Sequence, residues 1–485
     1  MQPSFIRHSV SSGYSRLRTV AAAISAVVLS GMLVSCGGSS SSGSGSTTVP
    51  QTVVQLNFGD APADWMLAFS MQVSSMVMNR TNGGEVKLIN QEMTMEMTRL
   101  MATVQPVALV SVPQATYTSA RINISAVNAT YLDPNTHALV SQRIPGPFTA
   151  TTSFASPVTL DSTPHLFNFD LDLLHSVTKD NAGKLAFSPV FHMAAAAQGS
   201  GGVNGPATGS TFLVSGVVTK VTSNSFTIQP QQAAQTLTFA TNTSTECGGN
   251  LQTRDMLQVG MGVQVRGALQ SDGTLLATGI HSRMNSGGMM GGGIVTQVTG
   301  TPATQLTIVM QNGAGASVNT DYLSKPMTVT LTGNTIFEID DDRIPLDGLA
   351  FDPTFDAGHI YAGQSVLPIS ESTGMKGNGT GGNSASMTAS AIRLEEQGFL
   401  GTGTTDGNVP IKPGDVSTFT LTLSSDSAFT HLTGASTITI YQLASTHLYN
   451  NTAIDSGKTL RVHGLLFWDV NSGSWKLVAS TIAAS

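Results

Sequence analysis

The chain has 485 residues, of which 11% are charged, with 50 glycines and a formal net charge of −7. This length argues for three or four domains of about 100 to 200 residues each, and the shortage of Glu, Lys and Arg argues against long solvent-facing helices; abundant Gly, Ser, Thr and Val point to an all-β protein of short strands and turns. A thin negative charge gives no basic field, and 6% aromatic residues give no evident stacking platform, so no nucleic acid is expected as a partner.

Arg7, Arg16 and Arg18 precede an apolar run from Val20 to Val34, the order of a secretory signal peptide. About 15 helical residues rise only about 22 Å, short of the roughly 30 Å hydrocarbon core, so a cleaved signal helix is expected over residues 1–35. The run ends in Leu33-Val34-Ser35-Cys36, which resembles the lipobox of bacterial lipoproteins. That resemblance implies that the Cys36 sulfur carries a diacylglyceryl group and that cleavage leaves Cys36 as the new amino terminus. Two or three acyl chains then hold the protein to a membrane far more firmly than one. Gly37 follows the cysteine where an acidic residue does not, which by the same resemblance favours the outer membrane, facing the periplasm or the exterior. Residues 36–51 are rich in Gly, Ser and Thr and read as a flexible tether. The other cysteine, Cys247, then has no partner in the chain, and with no His or Lys beside it in sequence it reads as an inert, half-buried thiol.

Residues 52–197 read as a β-sandwich. Val53 to Phe58 forms a strand that breaks at a turn around Asp60-Ala61-Pro62, and further strands follow at Ala68 to Val77, Val86 to Ile89, Val107 to Val112, Tyr117 to Ala126, Val158 to Leu160 and Phe167 to Leu173. The Asp60-Ala61-Pro62 turn, the Pro113-Gln114-Ala115-Thr116-Tyr117-Thr118 entry, the Asp-rich Phe169 to Asp172 and the closing Pro189-Val190-Phe191 resemble an uncharacterised domain family that follows the lipobox in bacterial envelope lipoproteins. Ala115 stands where that family usually has Gly. The family has no established activity, so the resemblance implies fold and setting alone. Methionines are dense here, at 66, 71, 76, 78, 93, 95, 97 and 101. Thioether sulfur suits Cu(I), but Met93, Met95 and Met97 alternate with Thr94, Glu96 and Thr98 as one buried face of a strand does, and core packing is the expectation.

After a Gly-rich linker at 198–210, three related units follow at 211–283, 292–393 and 398–485. The first carries strands at Phe212 to Val218, Ser225 to Ile228, Leu237 to Phe239, Gly262 to Gly267 and Ala277 to Ile280. The second runs from Gly293 through Leu306 to Ile308 and Val329 to Leu331, and the third through Thr418 to Leu423, Thr437 to Ile440 and Leu460 to Gly464. All close on Ala-x-x-Ile, at Ala277, Ala389 and Ala479. Five or six short strands per unit predict tandem small β-barrels of OB-like type, with glycines such as Gly267 placed where a strand bends sharply or another backbone crosses closely. The first unit resembles an uncharacterised small all-β domain found in tandem in bacterial envelope proteins; the others match it more weakly, with Gly363 to Pro368 replacing the Gly-x-x-Val-x-Gly element. Two insertions interrupt the second unit. Ser372 to Ser386 reads as disordered. The other contains Asp340, Asp341, Asp342, Asp347, Asp352 and Asp356, oxygen ligands of the kind calcium takes, but it lacks the D-x-D-x-D-G order and reads as a solvated acidic loop.

No G-x-S-x-G, H-E-x-x-H or paired C-x-x-C occurs, so no catalytic set is assigned and the protein is not expected to be an enzyme. Gly457-Lys458-Thr459 lacks the upstream glycine of a phosphate loop and reads as a turn. His431, His447 and His463 recur at even spacing, wider than zinc histidines usually show. The expectation is a lipid-anchored cell-envelope protein with a non-enzymatic binding or structural role, no cofactor, and an envelope protein or polysaccharide as partner. The alternatives are a calcium or copper protein using the aspartates or methionines, and a hydrolase of unrecognised type.

Overall fold

The structure is a computed structural model and describes residues 49–61, 63–100, 105–133, 135–180, 182–197, 212–230, 232–249, 251–284, 289–315, 322–341, 344–370, 376–377, 385–404, 415–448 and 454–484. The signal segment, Cys36, most of the tether, the 198–210 linker, Pro62, Met101 and Asp342 lie outside them. From Val49 onward the chain forms one compact unit. It is all-β: a sandwich followed by three barrel-like sheets in tandem.

The sandwich pairs a four-stranded sheet with a five-stranded one. In the first, Gln51–Ala61 lies between Gln105–Pro113, antiparallel, and His165–Asp172, parallel, with Phe191–Ala197 outermost. In the second, Met66–Arg80 and Thr116–Leu132 are central, Glu85–Ile89 and Met93–Glu96 pair with the former, and Leu139–Thr159 forms an edge. Between the sheets Phe58 stacks on Phe169 at 5.6 Å, and Leu56, Phe69, Met71 and Met76 are fully enclosed. The Pro113 to Thr118 element has a local reason. Tyr117 is buried and its hydroxyl donates to the Pro113 carbonyl at 2.8 Å, tying the end of one strand to the start of the next.

Seven of the eight methionines named above are buried in this core. The expectation of one buried face at Met93 is corrected, because Thr94 and Glu96 are buried as well. One edge of that strand pairs with Met66–Arg80, and the other is covered by Gln232 from the next module, whose side-chain carbonyl accepts from the Glu96 amide at 3.0 Å.

The three later sheets repeat one strand order. In the first barrel Phe212–Val221 pairs with Ser225–Pro230 on one side and Gly262–Leu269 on the other. Ser225–Pro230 pairs with Leu237–Ala240, which runs parallel to Leu275–Met284, and that strand pairs back to Gly262–Leu269. The circuit 1-2-3-5-4-1 with a parallel 3–5 contact is the Greek-key order of an OB barrel. In the second, Gly293–Thr299, Gln305–Met310, Pro326–Thr330 and Ser365–Ser370 take the first four places. The last strand is broken into Ala385–Thr388 and Ala391–Leu394, which carry the same two contacts. The third, Gln397–Thr404, Val416–Thr422, Thr437–Leu448, Thr459–Asp469 and Ser474–Ala484, is a closed barrel.

The recurring Ala-x-x-Ile places its Ile on the fifth strand each time, although in the second barrel its first two residues fall in the break of that strand. Ile280 faces Val265, Ile392 faces Pro368 and Ile482 faces Val462, all on the fourth strand. At Gly267 the strand pairing slips, the irregularity of a bend, and the close approach is to aromatic rings rather than backbone: a side chain there would meet Phe239 at 2.7 Å. In the third barrel it is backbone, since a Cβ on Gly464 would lie 2.1 Å from the Val478 carbonyl oxygen.

Two expectations about the insertions are corrected. Of the stretch read as disordered the structure describes Lys376–Gly377, a strand, and Ala385 and Ser386, which open the strand Ala385–Thr388; Ala385 and Met387 of that strand alternate into the core beside Met327 and Val329, and the rest of the stretch lies outside the described residues. The acidic loop is not simply solvated, because its Ile344, Phe351 and Phe355 are buried, and Phe351 packs on Tyr441 and Phe467 of the third barrel at 5.0 and 5.8 Å.

Candidate functional site

The modules meet around a partly open cavity of about 260 Å³, to which all four contribute lining residues. Buried glutamines hold the junction. Gln232 of the first barrel accepts from the Glu96 amide and donates to the Gln311 carbonyl of the second at 3.0 Å, while Gln311 donates to the Leu67 carbonyl at 2.8 Å and to Thr98 Oγ1 at 3.0 Å. Gln364 bonds the Leu466 carbonyl, and Gln397 accepts from the Ser365 amide and donates to the Gly363 carbonyl, tying the second barrel to the third. A long neutral side chain with both donor and acceptor satisfies backbone groups on two modules without burying charge.

Three ionisable residues sit at this junction on the sandwich side. Glu96 accepts hydrogen bonds from the amides of Phe69, Thr98 and Arg99 and from the Thr98 hydroxyl. Burial nevertheless pushes its carboxyl up to about 7, against those bonds and the Arg99 charge. Arg99 lines the cavity and donates to Gln105 Oε1; burial pulls its basicity down while Glu96 and Glu395 oppose that. Asp64, also in the lining, is raised by burial and by the nearby Asp426.

From the third barrel, His463 enters the lining with its Nδ1 2.9 Å from Glu396 Oε2. Ser480 donates to the same carboxylate oxygen and also lies 3.1 Å from the His463 carbonyl. Serine and imidazole thus share one acceptor. The hydroxyl is not directed at a ring nitrogen, so the trio lacks the serine-to-histidine hydrogen bond of an activated nucleophile.

The predicted site residues are scattered relative to this cavity. Asp340 lines it, 3.7 Å from Arg393, whose Nε also donates to Glu338 at 3.1 Å. Asp341, Asp347, Asp352 and Asp356 are exposed. Partial burial of Asp356 is outweighed by hydrogen bonds from His359 and the Gly358 amide, which hold its carboxyl below the usual range. Among the described residues no three His, Cys, Asp or Glu side chains form a metal-holding group. His431 packs against His137 at 5.5 Å, whereas His463 is held by Glu396. Gly457-Lys458-Thr459 is a turn running into a strand, with Lys458 bonded to Asp455 at 2.6 Å. Cys247 is half-buried on Glu246–Gly249, and burial raises its thiol.

Sequence reasoning did not find Glu96, Arg99, Gln232, Gln311 or the Glu396–His463 pair as a site. The one local signal is Glu96 itself, an acidic residue in a row of methionines.

Residues 215–281 match a family described as a domain of unknown function (DUF5666), an uncharacterised domain as the repeat resemblance implied. No curated protein matches. Among solved structures, a multidomain protein with nucleic acid binding domains from Streptococcus pneumoniae TIGR4 is 10% identical, covering 55% of this chain and 72% of its own, with a TM-score of 0.10. Drosophila Unr CSD456 is 11% identical, covering 56% and 97%, with a TM-score of 0.13. At those scores neither carries an argument for what this chain binds. The expectation that nucleic acid is excluded is withdrawn on a separate ground, since composition over a whole chain does not decide what one barrel face can hold.

Proposed function

We propose that this is a lipid-anchored cell-envelope protein with a non-enzymatic binding or structural role, held through Cys36 at the outer membrane and displayed from that end by its tether. The observation that carries the reading is Leu33-Val34-Ser35-Cys36 at the end of an apolar run, with a Gly- and Ser-rich leash directly after it. The Asp60-Ala61-Pro62 turn and the Pro113 to Thr118 entry support placing residues 52–197 in the domain family that follows a lipobox in envelope lipoproteins. The non-enzymatic part is supported by the Glu396, His463 and Ser480 arrangement, in which the hydroxyl donates to the carboxylate instead of to the imidazole. We also read the chain as a sandwich and three barrels that work as one body, supported by the glutamine bridges between them.

The test is expression of the wild type and Cys36→Ala in a didermal bacterium with an alkyne fatty acid. The wild type incorporates the label and sediments with outer membranes, and Cys36→Ala does neither. Label on both, or on neither, overturns the anchor. Turnover of an ester or glycan panel that is lost in His463→Phe overturns the non-enzymatic reading.

A further inference from the structure

Two imidazoles meet at the surface where the sandwich touches the third barrel. His137 lies in the turn between Thr116–Leu132 and Leu139–Thr159, and His431 in the short helix Ala428–Thr433. Their ring centres are 5.5 Å apart with the planes inclined at 58°, and neither ring has a hydrogen bond or ion pair to a described residue. His137 is exposed; His431 is half-buried, but its nitrogens are not among the buried polar atoms lacking a partner, so solvent reaches them. The ring nitrogens of both residues are therefore open to a ligand.

The packing beneath them sets this spacing. Leu132 and Leu139 flank the turn, Ala428 and Leu432 flank His431, and all four pack in one apolar cluster. The His137 amide donates to the Asp133 carbonyl at 2.8 Å, and the Ala428 amide donates to the Asp64 carbonyl at 2.8 Å, which pins the turn and ties the helix to the sandwich. His137 also holds a left-handed backbone, with φ at 55°, an uncommon conformation for a residue with a side chain and one that its surroundings must enforce. Strain of this kind marks ligand-holding positions more often than ordinary turns, and here it falls on a histidine opposite another histidine.

Imidazole suits zinc and its neighbours among the divalent transition ions, and binds zinc at about 2.0 to 2.1 Å. With about 1.2 Å more from each nitrogen to its ring centre, two imidazoles on one tetrahedral ion have ring centres about 5.2 Å apart. The observed 5.5 Å is close to that. The outer torsion of histidine is broad, so aligning a nitrogen of each ring on one ion needs ring rotation rather than backbone movement. We propose that His137 and His431 together hold a divalent transition cation of the zinc class, with water filling its remaining positions, and that the ion ties the sandwich turn to the helix of the third barrel. Two protein ligands are consistent with the lack of any three-residue metal group among the described residues, and they bind more weakly than the four of a structural zinc site. The site does not depend on the lipid anchor, so it stands or falls separately from the proposed function.

The test is calorimetric titration of zinc chloride into the full chain, free of affinity tag and chelator, with the melting temperature read alongside. The wild type is expected to bind zinc with an affinity that His137→Asn and His431→Ala each weaken at least about tenfold, a difference of about 1.4 kcal/mol. Asn tolerates a left-handed backbone, so His137→Asn should melt with the wild type when zinc is absent. Zinc should raise the melting temperature of the wild type and of neither variant. No zinc heat up to millimolar concentration, or binding that either substitution leaves unchanged, overturns the proposal. Cys247 is common to all three proteins, so a thiol site would survive both substitutions and count against it. If His431→Ala does not fold, His137→Asn decides alone.

Discussion

Replacing Glu96 by Gln should remove a specific pH dependence from the stability of this protein. Glu96 is fully enclosed at the junction of the sandwich with the first two barrels, and burial raises its carboxyl from 4.5 to about 7. The folded protein therefore keeps a proton there up to about pH 7, whereas the unfolded chain releases it near 4.5. The associated stability is fully present below 4.5 and is lost as pH rises through 7. At about 1.4 kcal/mol per tenfold change in proton affinity, the loss across that window is about 3 kcal/mol. Glu96→Gln puts an amide N–H beside the Phe69, Thr98 and Arg99 donors and so lowers stability at every pH. The slope with pH is therefore the quantity to read. Urea unfolding of both proteins at several values between pH 4.5 and 7.5 should show the wild type losing about 3 kcal/mol more than the variant. Parallel curves, or a wild type that gains stability with pH relative to the variant, would refute the reasoning: the four hydrogen bonds and Arg99 would then hold the carboxylate ionised against burial.

Gln232→Ala leaves the Glu96 amide and the Gln311 carbonyl without their bridging partner, and should cost about 2 to 4 kcal/mol by urea unfolding. Gly464→Ala drives a methyl into the Val478 carbonyl and should cost about 2 to 3 kcal/mol or prevent folding, whereas Gly333→Ala, with open space around it, should stay within about 0.5 kcal/mol of wild type. Phe351→Ala should lower the urea midpoint by an amount equivalent to about 3 kcal/mol, since it removes a buried ring from between Tyr441 and Phe467. In a Cys36→Ser background, Cys247 should react with iodoacetamide at pH 7.5 several-fold more slowly than glutathione does, because burial raises its thiol.

The strands that sequence reading locates are those with one buried face. Ser225 to Ile228 alternates Phe226 and Ile228 inward with polar residues outward, and both are fully enclosed. The Ala-x-x-Ile endings were legible because each repeats a pairing with the fourth strand of its barrel. Leu139–Thr159 was legible only at its end, from Val158, because this edge strand is mostly exposed and rich in Thr, Ser, Pro and Gly, which punctuate turns elsewhere. Gln397–Thr404 was hidden by its three glycines; Gly401 lies where a side chain would meet the Thr422 carbonyl at 2.6 Å. The short helix Ala428–Thr433 shows only one turn of pattern between Ser427 and Gly434. The junction lay beyond sequence reasoning for a different reason. Gln232 reaches Glu96 across 136 positions and Gln311 reaches Leu67 across 244, and no local pattern marks a glutamine as a bridge between modules.

The most direct test of the anchored reading is the mass of the amino-terminal peptide from protein extracted from a didermal envelope. The account predicts a peptide beginning at Cys36 and carrying a diacylglyceryl group, with or without a further acyl chain on its amine. A mature chain beginning at another residue, or Cys36 recovered as a free thiol within a longer peptide, would contradict it.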